Sequence, residues 1–137
     1  MKFARWSFLV AGIWGILVLP LYFLEKKTGL DRPPAITHPE YYYGFIGVAL
    51  AWQVLFLIIA RNPVHFRLAM LPAMLEKFSF VISTYTLYAL GRVDLTMVAA
   101  ASADLVLGVL FVISFFKSGQ KRPQQSYRIA GSTGGRA

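Results

Sequence analysis

Four apolar stretches make up most of this chain, at residues 6–24, 41–60, 68–90 and 95–116. At about 1.5 Å of rise per residue, each is long enough as a helix to cross the roughly 30 Å hydrocarbon layer of a bilayer. Within hydrocarbon every backbone N–H and C=O needs a partner in the chain itself, so spans of this length fold as helices. Of 137 residues, 57% are hydrophobic and 15% charged, against roughly 25% charged in an ordinary soluble domain. The sequence predicts an all-α integral membrane protein: an up-down four-helix transmembrane bundle in residues 1–116, then a basic polar tail at 117–137. The first stretch is too long for a signal-peptide core and no small-residue cleavage site follows it, so it is expected to remain as a helix. The absence of cysteine excludes disulfides, thiolate metal sites, iron–sulfur clusters and cysteine nucleophiles.

The net charge of +8 is unevenly distributed. Lys2, Arg5, Arg61, Arg67, Lys117, Lys121, Arg122, Arg128 and Arg136 fall on one side of the expected bundle. The other side holds Lys26, Lys27, Arg32 and Arg92, diluted by Glu25, Asp31, Glu40 and Asp94. The positive-inside rule then places both termini in the cytoplasm, in a multi-pass protein of a bacterial inner membrane. The cations line the membrane borders without a folded basic face, which points to anionic membrane lipids as partners and not to nucleic acid.

Local signals set the expected helix ends. Thr37 and Glu40 have the spacing of a capping box ahead of the second helix, which opens on Tyr41, Tyr42 and Tyr43, an aromatic belt. Asn62 and Pro63 suit an N-cap and first helical position, with Pro72 kinking the third helix. Gly91 fits a helix C-terminus and Asp94 the N-cap of the fourth helix, making the last two helices antiparallel neighbours. Pro20 bends the exit of the first helix, and Gly29 with Pro33 and Pro34 forces an extended path through the loop 25–40. Small residues mark expected contacts: Ala11, Gly12 and Gly15 on the first helix and Gly44, Gly47 and Ala51 on the second, strips expected to be exposed for association with further helices, and Ala100, Ala101 and Gly108 on the fourth.

Asp104 lies in the middle of the last apolar stretch, where a carboxylate costs about 2.5–3.5 kcal/mol on insertion scales. It shares a face with Ala100, Ala101 and Gly108. Counted from the nearer borders, Gln53 and Glu76 both fall about 12 Å from the cytoplasmic side, with Asp104 about 15 Å from the outer one. Lys77 is the only cation at that depth. One reading of Gln53, Glu76, Lys77 and Asp104 is a polar knot in which Lys77 pairs with Asp104 or Glu76, Gln53 bridges, and helix packing is fixed. The other is a proton-responsive or ligand-binding pocket, since two carboxylates sharing one cation leave a group able to change charge. A lipid or quinone would be the ligand, with Trp14, Trp52 and Tyr85 completing the lining.

His38, beside the tyrosine triplet, is a weak candidate surface ligand for haem or chlorophyll, although an ordinary surface role is the plainer reading. His65, between Arg61 and Arg67, is explained by headgroup contact. No histidine pair shares a helix face, so no metal site is expected. Phosphate-loop, nucleophile-elbow and zinc motifs are absent, and no catalysis is expected.

The order of four short spans, the run Thr37-His38-Pro39-Glu40-Tyr41-Tyr42-Tyr43-Gly44 and the turn Arg61-Asn62-Pro63 resemble small DoxX-like bacterial four-helix membrane proteins. That resemblance implies association with membrane redox complexes and quinone chemistry in some members, and carries over no catalytic residue. The expected role is a non-catalytic accessory or assembly subunit of a membrane complex, with other membrane subunits or further copies of itself as partners. A lipid- or quinone-binding protein and a small proton-coupled carrier acting as an oligomer are the alternatives.

Overall fold

The computed structural model describes residues 2–23, 27, 30 and 36–119, and the regular structure among these is entirely helical. Four α-helices carry it: α1 (Lys2–Val18), α2 (Pro39–Arg61), α3 (Met70–Ala89) and α4 (Leu95–Gly119). Three of the four, α1 with the turn after it to Leu21, α2 and α4, are long and apolar enough to cross a membrane. The 20-residue α3 has about the same 30 Å reach but carries Glu76 and Lys77 and is not among them. Gly29, Pro33, Pro34 and the tail beyond Gly119 lie outside the described residues.

The helix ends follow from local chemistry. After Val18 the chain tightens into a 3-10 helix, Leu19–Phe23, around Pro20, which has no N–H to donate. The N-cap of α2 is His38, not Thr37, and Glu40 turns to His38 Nδ1 at 3.1 Å instead of closing a capping box. Pro39 causes the shift: it occupies the first helical position and drives the preceding residue out of the α region, to φ −129° and ψ 74° at His38.

Asn62 caps a single turn and not α3. Its Oδ1 accepts from the His65 N–H at 3.2 Å, and a 3-10 segment, Arg67–Ala69, intervenes before α3 begins at Met70. Pro72 therefore sits in the first turn of α3, where N–H groups have no intrahelical acceptor, and need not kink the helix. The α3–α4 turn forms as expected. Gly91 has φ +68°, its N–H reaches Tyr88 O at 2.9 Å and the Arg92 N–H reaches Leu87 O at 2.9 Å, a Schellman closure. Asp94 Oδ1 then accepts from the Met97 N–H at 3.0 Å and caps α4. That helix continues past Phe116 to Gly119, with Ser118 buried.

Packing organises the helices as two antiparallel hairpins, α1 with α2 and α3 with α4, joined where α1 lies along α4. Although consecutive, α2 and α3 make little contact. The apolar core lies at one end of the bundle, where the first half of α1 (Ala4, Phe8, Ala11), the last turns of α2 (Phe56, Ile59, Ala60), the start of α3 (Met70, Ala73) and Phe111 of α4 converge. Phe8 stacks on Phe111 with ring centroids 3.9 Å apart, and Phe56 meets Phe111 edge-on at 5.0 Å.

The two small-residue strips expected to bind further helices have opposite fates. Ala11, Gly12 and Gly15 are consumed inside the fold, against α2. Gly44, Gly47 and Ala51 face outward, and a methyl placed on either glycine would meet nothing within 4 Å. The inward face of α2 is instead Ile46, Ala49, Gln53, Phe56 and Ala60.

Candidate functional site

The buried residues of α3, Met70, Ala73, Lys77, Val81 and Thr84, recur at helical spacing, so Lys77 occupies a position an aliphatic side chain would normally fill. Glu76, about 100° around the helix, is displaced toward the rim. On α4 the partner face holds Ala101, Gly108 and Phe111. Gly108 allows the close approach: a methyl there would lie 3.2 Å from Phe78 Cζ and 3.4 Å from the Lys77 Cβ. Asp104 is one turn from Gly108 on the same face, which brings its carboxylate to the lysine.

The Lys77 ammonium lies 3.0 Å from Asp104 Oδ1 and 3.3 Å from Glu76 Oε2. It donates a long hydrogen bond of 3.5 Å to Glu76 Oε1. Its third neighbour is the Phe56 ring of α2, 5.3 Å from ammonium to centroid, a distance that permits a cation–π attraction. The cluster thus ties α3 to α4 by an ion pair and touches α2 through an aromatic face. Lys77 is deepest, its side chain 6% accessible, against 20% for Glu76 and 24% for Asp104. Glu76 Oε2 is itself buried and accepts no hydrogen bond, but the Lys77 ammonium 3.3 Å away compensates its charge.

Gln53 takes no part in this cluster. Its Nε2 donates to Ala49 O at 3.1 Å, and the rest of the side chain fills the space above Gly15 on α1. Gln53, Glu76 and Asp104 share a depth, but depth does not choose between neighbouring helices, and α2 packs on α1. A side chain at Gly15 would collide with Gln53. Gly15→Leu is therefore expected to destabilise the α1–α2 hairpin by about 2 kcal/mol, measured by unfolding in mixed micelles, whereas Gly47→Leu, on the open face, is expected to change stability little.

The other residues of the expected ligand lining are dispersed. Trp14 is 62% exposed. The Tyr85 hydroxyl pairs with Ser102 Oγ at 2.9 Å, and Trp52 leans on Phe56 with centroids 6.4 Å apart. His38 is exposed and held by Glu40, and His65 is exposed with its ring 4.7 Å from that of Phe66. Among the described residues no group of three or more His, Asp or Glu converges in a way that would hold a metal ion.

Two contributors were not legible as such. Phe56 carries no mark that distinguishes it from other apolar residues of α2. Arg67, which the sequence suggests is a border charge, donates from Nε to Phe115 O at 3.0 Å, and its guanidinium lies 3.9 Å over the Phe115 ring. It therefore satisfies a carbonyl near the end of α4, where a cation also opposes the helix dipole. Comparison of the chain with protein-family models, with curated proteins and with solved structures gives no match.

Proposed function

We propose that this chain is a non-catalytic subunit of a bacterial inner-membrane complex, spanning the bilayer four times with both termini cytoplasmic and related in kind to DoxX-like proteins. The observation that carries this reading is the outward face of α2. Gly44, Gly47 and Ala51 lie on it with open space above the glycines, and small residues are what allow a second helix backbone to pack closely in lipid. A face meant only for lipid has no need of them. The charged residues inside the fold support the non-catalytic part, because Lys77 and Asp104 are used against each other.

The topology rests on the charge bias between the two sides and on three helices of spanning length and composition. With Glu76 and Lys77 packed toward α4, α3 spans as the outer member of the hairpin, α4 lying between it and α1.

Purification of the full chain in a mild detergent, followed by mass spectrometry, tests the assignment. The expected result is a defined set of co-purifying membrane subunits that is lost with Gly47→Leu and retained with Arg92→Ala, a change at an exposed side chain in the distant turn. Recovery of the parent chain only as a monomer or homo-oligomer, or an unchanged set with Gly47→Leu, would overturn it.

A further inference from the structure

We propose that α3 does not enter the bilayer as an independent span but only together with α4, as a hairpin in which Asp104 neutralises Lys77 during insertion. The inference rests on the four-span reading given above. Helices α1, α2 and α4 each have the length and apolar composition of a span, and α3 does not. Its hydroxyls are not the obstacle, because a helix can satisfy them alone: Ser79 Oγ donates to Glu76 O at 3.0 Å and Thr86 Oγ1 to Ile82 O at 2.8 Å. The obstacle is Glu76 and Lys77, since ionised side chains well inside a span are the groups that insertion penalises most.

Adjacent on one helix, these two offset each other only in part. They point about 100° apart around the axis, and the Lys77 ammonium lies 3.3 Å from Glu76 but 3.0 Å from Asp104. The helices made before α3 have no carboxylate to offer. α1 contains no acidic residue, and α2 has only Glu40, in its first turn. α2 also makes little contact with α3 and meets Lys77 through the Phe56 ring. The missing partner is therefore on the helix that follows, and α4 is apolar enough to carry one carboxylate into the membrane. The turn that brings the two helices together closes locally. The bonds at Gly91 and Arg92 and the Asp94 cap involve residues 87–97 alone, so the hairpin can form before either helix meets the rest of the bundle.

The test uses the full chain, which has no cysteine, carrying Arg92→Cys at an exposed position of the α3–α4 turn. Intact spheroplasts are treated with a membrane-impermeant maleimide, and labelling is scored against that after permeabilisation, which corrects for the amount of protein. With no further change the turn is expected to be labelled from outside. Adding Asp104→Lys is expected to lower outside labelling about fivefold or more, because Lys77 then faces a second cation. Two rescues separate hairpin dependence from simple damage to α4. Lys77→Asp combined with Asp104→Lys restores opposite charges, and Glu76→Leu with Lys77→Leu, added to Asp104→Lys, makes α3 apolar enough to enter alone. Both are expected to return labelling to within about twofold of the starting chain, whereas a defect of α4 itself would persist in both. Labelling of the starting chain only after permeabilisation would overturn the four-span reading and this inference with it. Undiminished outside labelling with Asp104→Lys, or a loss that persists in either rescue, would overturn the hairpin dependence alone.

Discussion

Lys77→Met is expected to be the most damaging single substitution in this protein, costing about 3–5 kcal/mol of stability. Methionine fills nearly the same volume, so the loss does not come from a cavity. It comes from leaving Asp104 and Glu76 without a cation where both are largely buried, with Asp104 otherwise 3.0 Å from the ammonium. Removing the carboxylates as well reverses the sign of the argument. The triple variant Lys77→Met, Glu76→Gln, Asp104→Asn carries no buried charge and is expected to recover most of the lost stability, because well-packed neutral groups generally do as well as a buried ion pair. Unfolding in mixed micelles, read by helical circular dichroism, measures both. Equal stability of parent and Lys77→Met would mean that the ion pairs hold nothing together.

Phe111→Ala is expected to be next in effect, at about 3–5 kcal/mol. Phe111 is fully buried, stacks on Phe8 and meets Phe56 edge-on. It is a ring of α4 in contact with both α1 and α2, so its removal empties the point where the two hairpins join. If the bundle lies in lipid, as proposed, the loss is chiefly of van der Waals contact, since no water is released when helices associate there. Phe116, five residues on and 64% exposed, supplies the internal comparison, and its replacement by alanine is expected to cost about 0.5 kcal/mol or less. With no native cysteine, a cysteine pair introduced at Phe3 and Lys117 and bridged by a bifunctional maleimide reports the join, because the two side chains meet, with Lys117 Nζ 4.6 Å over the Phe3 ring. Their cross-linking is expected to fall in Phe111→Ala and persist in Phe116→Ala.

Features with a short-range cause were the legible ones. Gly91 and Asp94 announce the α3–α4 turn because a positive φ and an N-cap are chosen by the residue itself. The shared face of Ala101, Asp104 and Gly108 follows from helical period alone. Lys77 as a partner for Asp104 followed from depth, an arithmetic of rise per residue. Which helices would be neighbours was not available in the same way, and this is why Gln53 was grouped with the ions when it packs on Gly15.

The burial of the α1 strip was harder still to read. In water an apolar face points inward, but in hydrocarbon small residues suit either a neighbour within the fold or one outside it, so the outward strip Gly44, Gly47 and Ala51 and the buried strip Ala11, Gly12 and Gly15 look alike in sequence. The capping box at Thr37 failed for a readable reason, the restriction Pro39 places on His38. Arg67 had no such signal, because its acceptor, Phe115, is 48 residues away.

The central claim is that the charges inside this bundle serve first to bind α3 to α4. A double-mutant cycle tests it most directly, with Lys77→Met, Asp104→Asn and the pair compared by reversible unfolding in bicelles. The account predicts a coupling energy of about 2 kcal/mol or more between the two positions, and a coupling below about 0.5 kcal/mol would contradict it.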